Sequence, residues 1–208
     1  MRMALILAAV MVMAGTAQAG SGAAPAETPK DPVLKELRSA ENPHIKIIEE
    51  KARGLVTPLS QPQMQDLYKL REGYGLIRSV EIVQRDIGQA VKFCGEDNPD
   101  LKKAMDERYK SWNEHVDPVL KERMSVLQAA VDAQTFASPA KIRDYFKALD
   151  NAAAYAESKF DKRIVTTPDA CKSLRESMDD SEKDVADIMK DLKVPDFTAK
   201  AEPVPKAQ

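Results

Sequence analysis

Two cysteines, two histidines and nine methionines are the side chains of this 208-residue sequence best suited to redox or metal chemistry. Cys94 lies in "KFCGED" and Cys171 in "TTPDACKSL". Cys171 falls one turn inside a helix start marked by Thr167-Pro168, a place that favours a reactive thiolate. A reactive thiol also wants a second cysteine or a histidine base beside it, and the neighbouring residues offer neither. In an oxidising compartment such a pair is a disulfide, and the sequence assigns Cys94 and Cys171 to one.

His44 and His115 belong to no metal-ligand spacing such as H-x-x-x-H or E-x-x-H. His44 follows Pro43 in a first helical turn, where it is solvated. His115, in "WNEHVD", borders an apolar stripe and is expected to be half-buried and structural; Glu114 and Asp117 give it an acid–base alternative. Tyr109 and Trp112 lie in "DERYKSWNEH", a mixture of aromatics and basic residues typical of interface anchors. With His115 they form the candidate interaction set, although a single tryptophan in a helical protein is commonly core.

Met64, Met105, Met124, Met178 and Met189 each carry a thioether that could serve haem, yet they recur at helical spacing, which is the habit of core filling. No C-x-x-C-H, paired E-x-x-H, P-loop, G-x-S-x-G or G-x-G-x-x-G occurs. Asp180, Asp184 and Asp187 occupy neighbouring turns, but the lysines interleaved with them read as a charged outer face rather than a cation site. The expectation is no cofactor, no metal and no catalytic residue.

What must position these side chains is helical throughout. Asn42-Pro43, Asn98-Pro99, Ser138-Pro139 and Thr167-Pro168 each set a capping residue before a proline. Proline at the first helical position sacrifices no hydrogen bond and has its φ already fixed. Ser60, ahead of Pro62, is a fifth start. Apolar residues then recur at three, four and seven: Leu67, Leu70, Ile77, Val80 and Ile87 after Ser60; Met105, Trp112, Val116 and Leu127 after Asn98. Ile142, Phe146, Leu149 and Ala153 follow Ser138, while Leu174, Met178, Val185 and Ile188 follow Thr167. Pro118, Gly73 and Gly75 interrupt two of these stripes, and both helices are expected to run through them.

The fold expected is all-α: an antiparallel up-down-up-down four-helix bundle with connections of about three to five residues. Two short helices, "PVLKELRSA" and "PHIKIIEEKARG", precede it, the second closed by Gly54 and lying across the bundle. In this topology the end of the first long helix and the start of the last share a rim, so the cysteine pair becomes a staple there.

The ends read differently. Residues 1–19 have a basic start, an apolar run and Ala17-Gln18-Ala19, the layout of a signal peptide cut before Gly20. Residues 20–30 form a flexible linker, 31–193 the helical domain, and 194–208 a tail expected to lack fixed structure. No other stretch approaches the length of a membrane span. A net charge of −2 gives no basic footprint for nucleic acid. The expectation is an exported, periplasmic, non-enzymatic interaction or scaffold protein with an envelope partner, either an accessory of an envelope machine or a chaperone. A ligand or cofactor carrier is the alternative, and a hydrolase built on distant carboxylates is a remoter one.

Overall fold

The computed structural model describes residues 42–159 and 164–197. The expected signal peptide, the linker and the first short helix lie outside them. Five helices carry the described chain: α1 His44–Val56, α2 Gln61–Asp97, α3 Pro99–Ala133, α4 Pro139–Glu157 and α5 Pro168–Asp191. No strand occurs among the described residues.

The proline-marked starts fall where the capping chemistry puts them, with local variations. Thr167 caps α5 by accepting from Ala170 N at 3.3 Å. Ser60 opens α2, and its N–H donates to Gln63 Oε1 at 2.9 Å, half of a capping box. Asn42 acts one residue outside α1, its Oδ1 accepting from His44 N at 3.0 Å. Asn98 and Ser138 precede α3 and α4 as expected, but neither side chain makes a cap bond.

Several expectations are corrected. Gly54 does not end α1, which runs to Val56; Thr57 closes it, its N–H and hydroxyl both donating to Arg53 O. α1 does not cross the other helices either. It runs antiparallel along α4, from the Asn42–Ala152 hydrogen bond at one end to the Lys51–Asp144 ion pair at the other. Asn98 alone joins α2 to α3, whereas residues 158–167 separate α4 from α5, so the connections are not uniformly short. The segment from Val194 stays on the body as far as Phe197, whose ring meets Phe136 edge-on at 5.8 Å.

α2 and α3 form the spine, an antiparallel pair in contact along its length. Each would measure about 55 Å at 1.5 Å per residue. Pro118 lies inside α3 without ending it, and α2 passes unbroken through Gly73 and Gly75. α5 packs chiefly on α3 and also touches α2. Cys94 and Cys171 join α2 to α5 at one end, and Leu192 approaches Gly73 and Leu127 at the other. α4 rises beside α2 through Tyr74–Phe146 stacking at 4.2 Å and the Arg85–Glu157 pair at 2.6 Å. Successive helices therefore alternate in direction.

The interior follows the predicted stripes, with a slip of one residue in the C-terminal halves of the two last helices. Leu70, Ile77, Met105, Trp112, Val116, Leu127, Ile142 and Met178 are fully buried. In α4 the buried residue is Ala152 rather than Ala153, and Tyr145 and Ala148 join it. In α5 it is Met189 rather than Ile188, which is 44% exposed.

Candidate functional site

Cys94 and Cys171 form a disulfide, with Cα atoms 5.8 Å apart and a separation of 77 positions in sequence. On a chain-entropy model, closing so long a loop contributes about 4 kcal/mol. Both residues are out of reach of solvent, 1% and 0% exposed. Among the described residues no free cysteine remains.

The three interaction candidates share α3 but point three ways. Tyr109 lies over α2 and donates its hydroxyl proton to Gln84 O at 3.0 Å. Trp112 is wholly buried, and its indole N–H reaches Ser181 Oγ on α5 at 3.4 Å. An indole enclosed in this way offers no surface to a partner. His115 is not half-buried: its side chain is 61% exposed, with Nδ1 2.9 Å from both Ser111 O and Glu182 Oε1. The carboxylates expected beside it are engaged along α3 instead, Glu114 with Lys110 at 3.8 Å and Asp117 with Lys121 at 2.5 Å.

His115 belongs to a cluster that bridges α3 and α5, which the sequence reading did not find. Arg108 lies half-buried beneath it. One of its terminal nitrogens donates to Glu182 Oε2 at 2.5 Å, the other to Met178 O at 2.7 Å. Nε stands 2.5 Å from Asp179 Oδ1 as an ion pair without hydrogen-bond alignment. A guanidinium held by two carboxylates and a backbone carbonyl is fixed by its planar fork, an arrangement an ammonium cannot copy. No local motif announces it, because the partners come from different helices.

A second polar cluster ties α2 to α4. Asp150 accepts from Tyr74 Oη at 2.6 Å and from Arg78 Nε at 3.0 Å, and Arg78 also pairs with Glu81. Burial, reinforced by the bond to Asp150, pushes the Tyr74 phenol far above the ordinary tyrosine value. Burial works against the Arg78 charge, but Asp150 and Glu81 outweigh it and raise its pKa. Each group is thereby locked into its ordinary neutral-pH state: a protonated phenol, a charged guanidinium. That chemistry holds two helices together and leaves no base or nucleophile poised to react.

Elsewhere an open hollow of about 530 Å³ lies on the flank of α3, between Tyr109, Asn113 and Pro118. Its charged rim is engaged within the helix, for example Lys102 with Asp106 at 2.8 Å. Asp187 on α5 pairs with Lys183 and Lys190, so the acidic row is part of a mixed charged face. Among the described residues no group of three or more His, Cys, Asp or Glu is placed to hold a metal ion. No helix of the described residues is long and apolar enough to cross a membrane. Comparison with protein-family models, with curated proteins and with solved structures found no match.

Proposed function

We propose that the chain is an exported, non-enzymatic helical scaffold or interaction protein of the cell envelope, an accessory of a larger machine or a periplasmic chaperone. In this reading residues 1–19 are a signal peptide removed before Gly20. α2 to α5 act as one up-down-up-down four-helix bundle, with α1 as an outrigger on α4. The observation that carries the proposal is the buried Cys94–Cys171 disulfide, which pins α5 to α2 and suits an oxidising compartment.

Two further features support a binding body over a carrier or a hydrolase. The axis is filled by Trp112, Met105 and Met178, leaving the outer faces for recognition. Glu182 and Asp150, carboxylates at the helix interfaces, neutralise arginines of neighbouring helices. Tyr109, at the rim of the α3 hollow, and the exposed His115 remain the candidate contacts.

Native mass spectrometry of protein isolated gently from its own envelope fraction tests this. The expected species begins at Gly20, lacks two hydrogens relative to its reduced form, and travels with a second envelope protein. A photo-crosslinker at Glu114 or His115 then marks the contact. A tightly held small molecule in place of a protein would transfer the function to the carrier class, and an unprocessed chain with free thiols would remove the envelope from the reading.

A further inference from the structure

Asn98 is the whole connection between α2 and α3, and its side chain turns away from the role its position suggests. The Nδ2 amide donates to Cys94 O at 3.1 Å and to Thr166 O at 2.8 Å, and lies 3.7 Å from Cys171 Sγ. A single amide thus spans the end of α2, the strand of chain entering α5, and one sulfur of the disulfide. On the approach to α5, Val165 is 62% exposed and Ile164 36%. The body of α5 is held far more firmly, by the buried Met178 and Met189, the Trp112–Ser181 bond and the Arg108 clamp.

We propose that Asn98 is a latch controlling reductive access to the Cys94–Cys171 disulfide, which opens by local movement of this rim rather than by unfolding of the domain. Reduction by a dithiol requires one reductant thiolate to bond to a protein sulfur while the other protein sulfur leaves as a thiolate. The reductant's second thiolate then displaces the bound protein sulfur and closes the reductant's own disulfide. Two electrons pass from the dithiol to the protein, and the departing thiolates take up protons from water. Attack must come along the sulfur–sulfur axis, and with both cysteines enclosed nothing can approach until a covering group moves. Freeing Asn98 from Thr166 O breaks one described side-chain tie, whereas freeing α5 breaks the contacts of a helix. The rim is therefore the cheaper opening. The inference stands independently of the proposed function.

The test is the rate of disulfide reduction by dithiothreitol in oxidised protein, over a urea series below the unfolding transition, with thiols trapped by maleimide and counted by mass. Wild type should be reduced slowly, with a urea dependence much shallower than that of equilibrium unfolding. Asn98→Ala should be reduced at least about tenfold faster without urea, with the slope still shallow. Gln134→Ala, destabilised at the opposite end, should change the urea-free rate less than about threefold. A wild-type slope equal to that of global unfolding would overturn the latch, and this reading needs no variant to fold. So would an Asn98→Ala rate no higher than that of Gln134→Ala.

Discussion

Tyr109 lies across the backbone of α2 at Gly88: a Cβ built on that glycine would fall 2.5 Å from the tyrosine Oη and 3.0 Å from its Cζ. The same hydroxyl donates to Gln84 O, the carbonyl one turn before Gly88. α2 and α3 approach as they do because one position is a glycine and its opposite number has a phenol whose hydroxyl end rests against it.

Gly88→Ala should therefore destabilise the protein by about 1–2 kcal/mol, because the ring is displaced and its bond to Gln84 lost, outweighing the better helix propensity of alanine. In a Tyr109→Ala background the sign should reverse, with Gly88→Ala now stabilising by about 0.5–1 kcal/mol. Gly75→Ala serves as the control, since a Cβ there meets nothing within 4 Å. It should stabilise in either background. Urea midpoints of the variants measure all of this, and a Gly88→Ala effect that ignores residue 109 would refute the pairing.

Gln134 closes the turn between α3 and α4 from inside, 4% exposed. Its Oε1 accepts from Phe136 N at 3.0 Å and Ala137 N at 2.9 Å, while Nε2 donates to Val131 O at 3.1 Å and Ala137 O at 2.7 Å. Gln134→Ala leaves four backbone groups without this partner and should cost about 2–4 kcal/mol. Gln134→Glu keeps both acceptors but loses the donors and buries a charge, so it should cost at least as much. Denaturant melts decide it. A glutamate variant as stable as wild type would mean that the amide donors contribute nothing.

What could be read from the sequence was local chemistry. Cap-then-proline pairs announce helix starts because their physics is complete within four residues, and Thr167 behaves accordingly. The disulfide was legible because two cysteines at the ends of two long helices have few other uses. Gln134, Gly88 and Arg108 were not legible. Each works through a partner that only the folded chain brings near, and a lone glutamine, glycine or arginine carries no pattern. Gly73 and Gly75 drew attention as a pair, yet a Cβ on Gly73 makes only ordinary contact, 3.5 Å from Leu127. Asn98 looked like an N-terminal cap because Pro99 follows it. Its amide instead serves carbonyls on both sides of the rim. In α4 and α5 the stripe holds at Ile142, Phe146 and Met178 and slips by one residue only towards the helix ends, because alanines and short apolar runs fix the phase of a helix poorly.

Arg108 should resist conservative replacement. Arg108→Lys keeps the charge but cannot contact Glu182, Asp179 and Met178 O together, so it should recover little of the loss in Arg108→Met. That loss should be about 1–3 kcal/mol, moderated by the exposure of Asp179. Glu182→Gln in the Arg108→Met background should cost less than in wild type, a coupling of about 0.5–3 kcal/mol in a double-mutant cycle. Additive effects would mean the two side chains are neighbours without being partners.

Alkaline pH should loosen the attachment of α4. The Tyr74 phenol, pushed up by burial and by its bond to Asp150, ionises less readily in the folded protein than in the unfolded chain. Folding therefore favours the protonated form. The stability this provides is fully present below the unfolded value of about 10 and is lost as pH rises through the folded one. Tyr145, also raised, chiefly by burial, acts in the same direction. Wild-type stability measured by urea melts from neutral pH upward should fall above about pH 10, and Tyr74→Phe should fall less steeply because it has no phenol to lose. In an absorbance titration of the five tyrosines, Tyr74 and Tyr145 should ionise last, together with unfolding. If Tyr74→Phe kept the full wild-type slope, the phenol's bond to Asp150 would be irrelevant to the alkaline loss, and the seam between α2 and α4 would have to rest on the Tyr74–Phe146 stack and the Arg78 and Arg85 pairs instead.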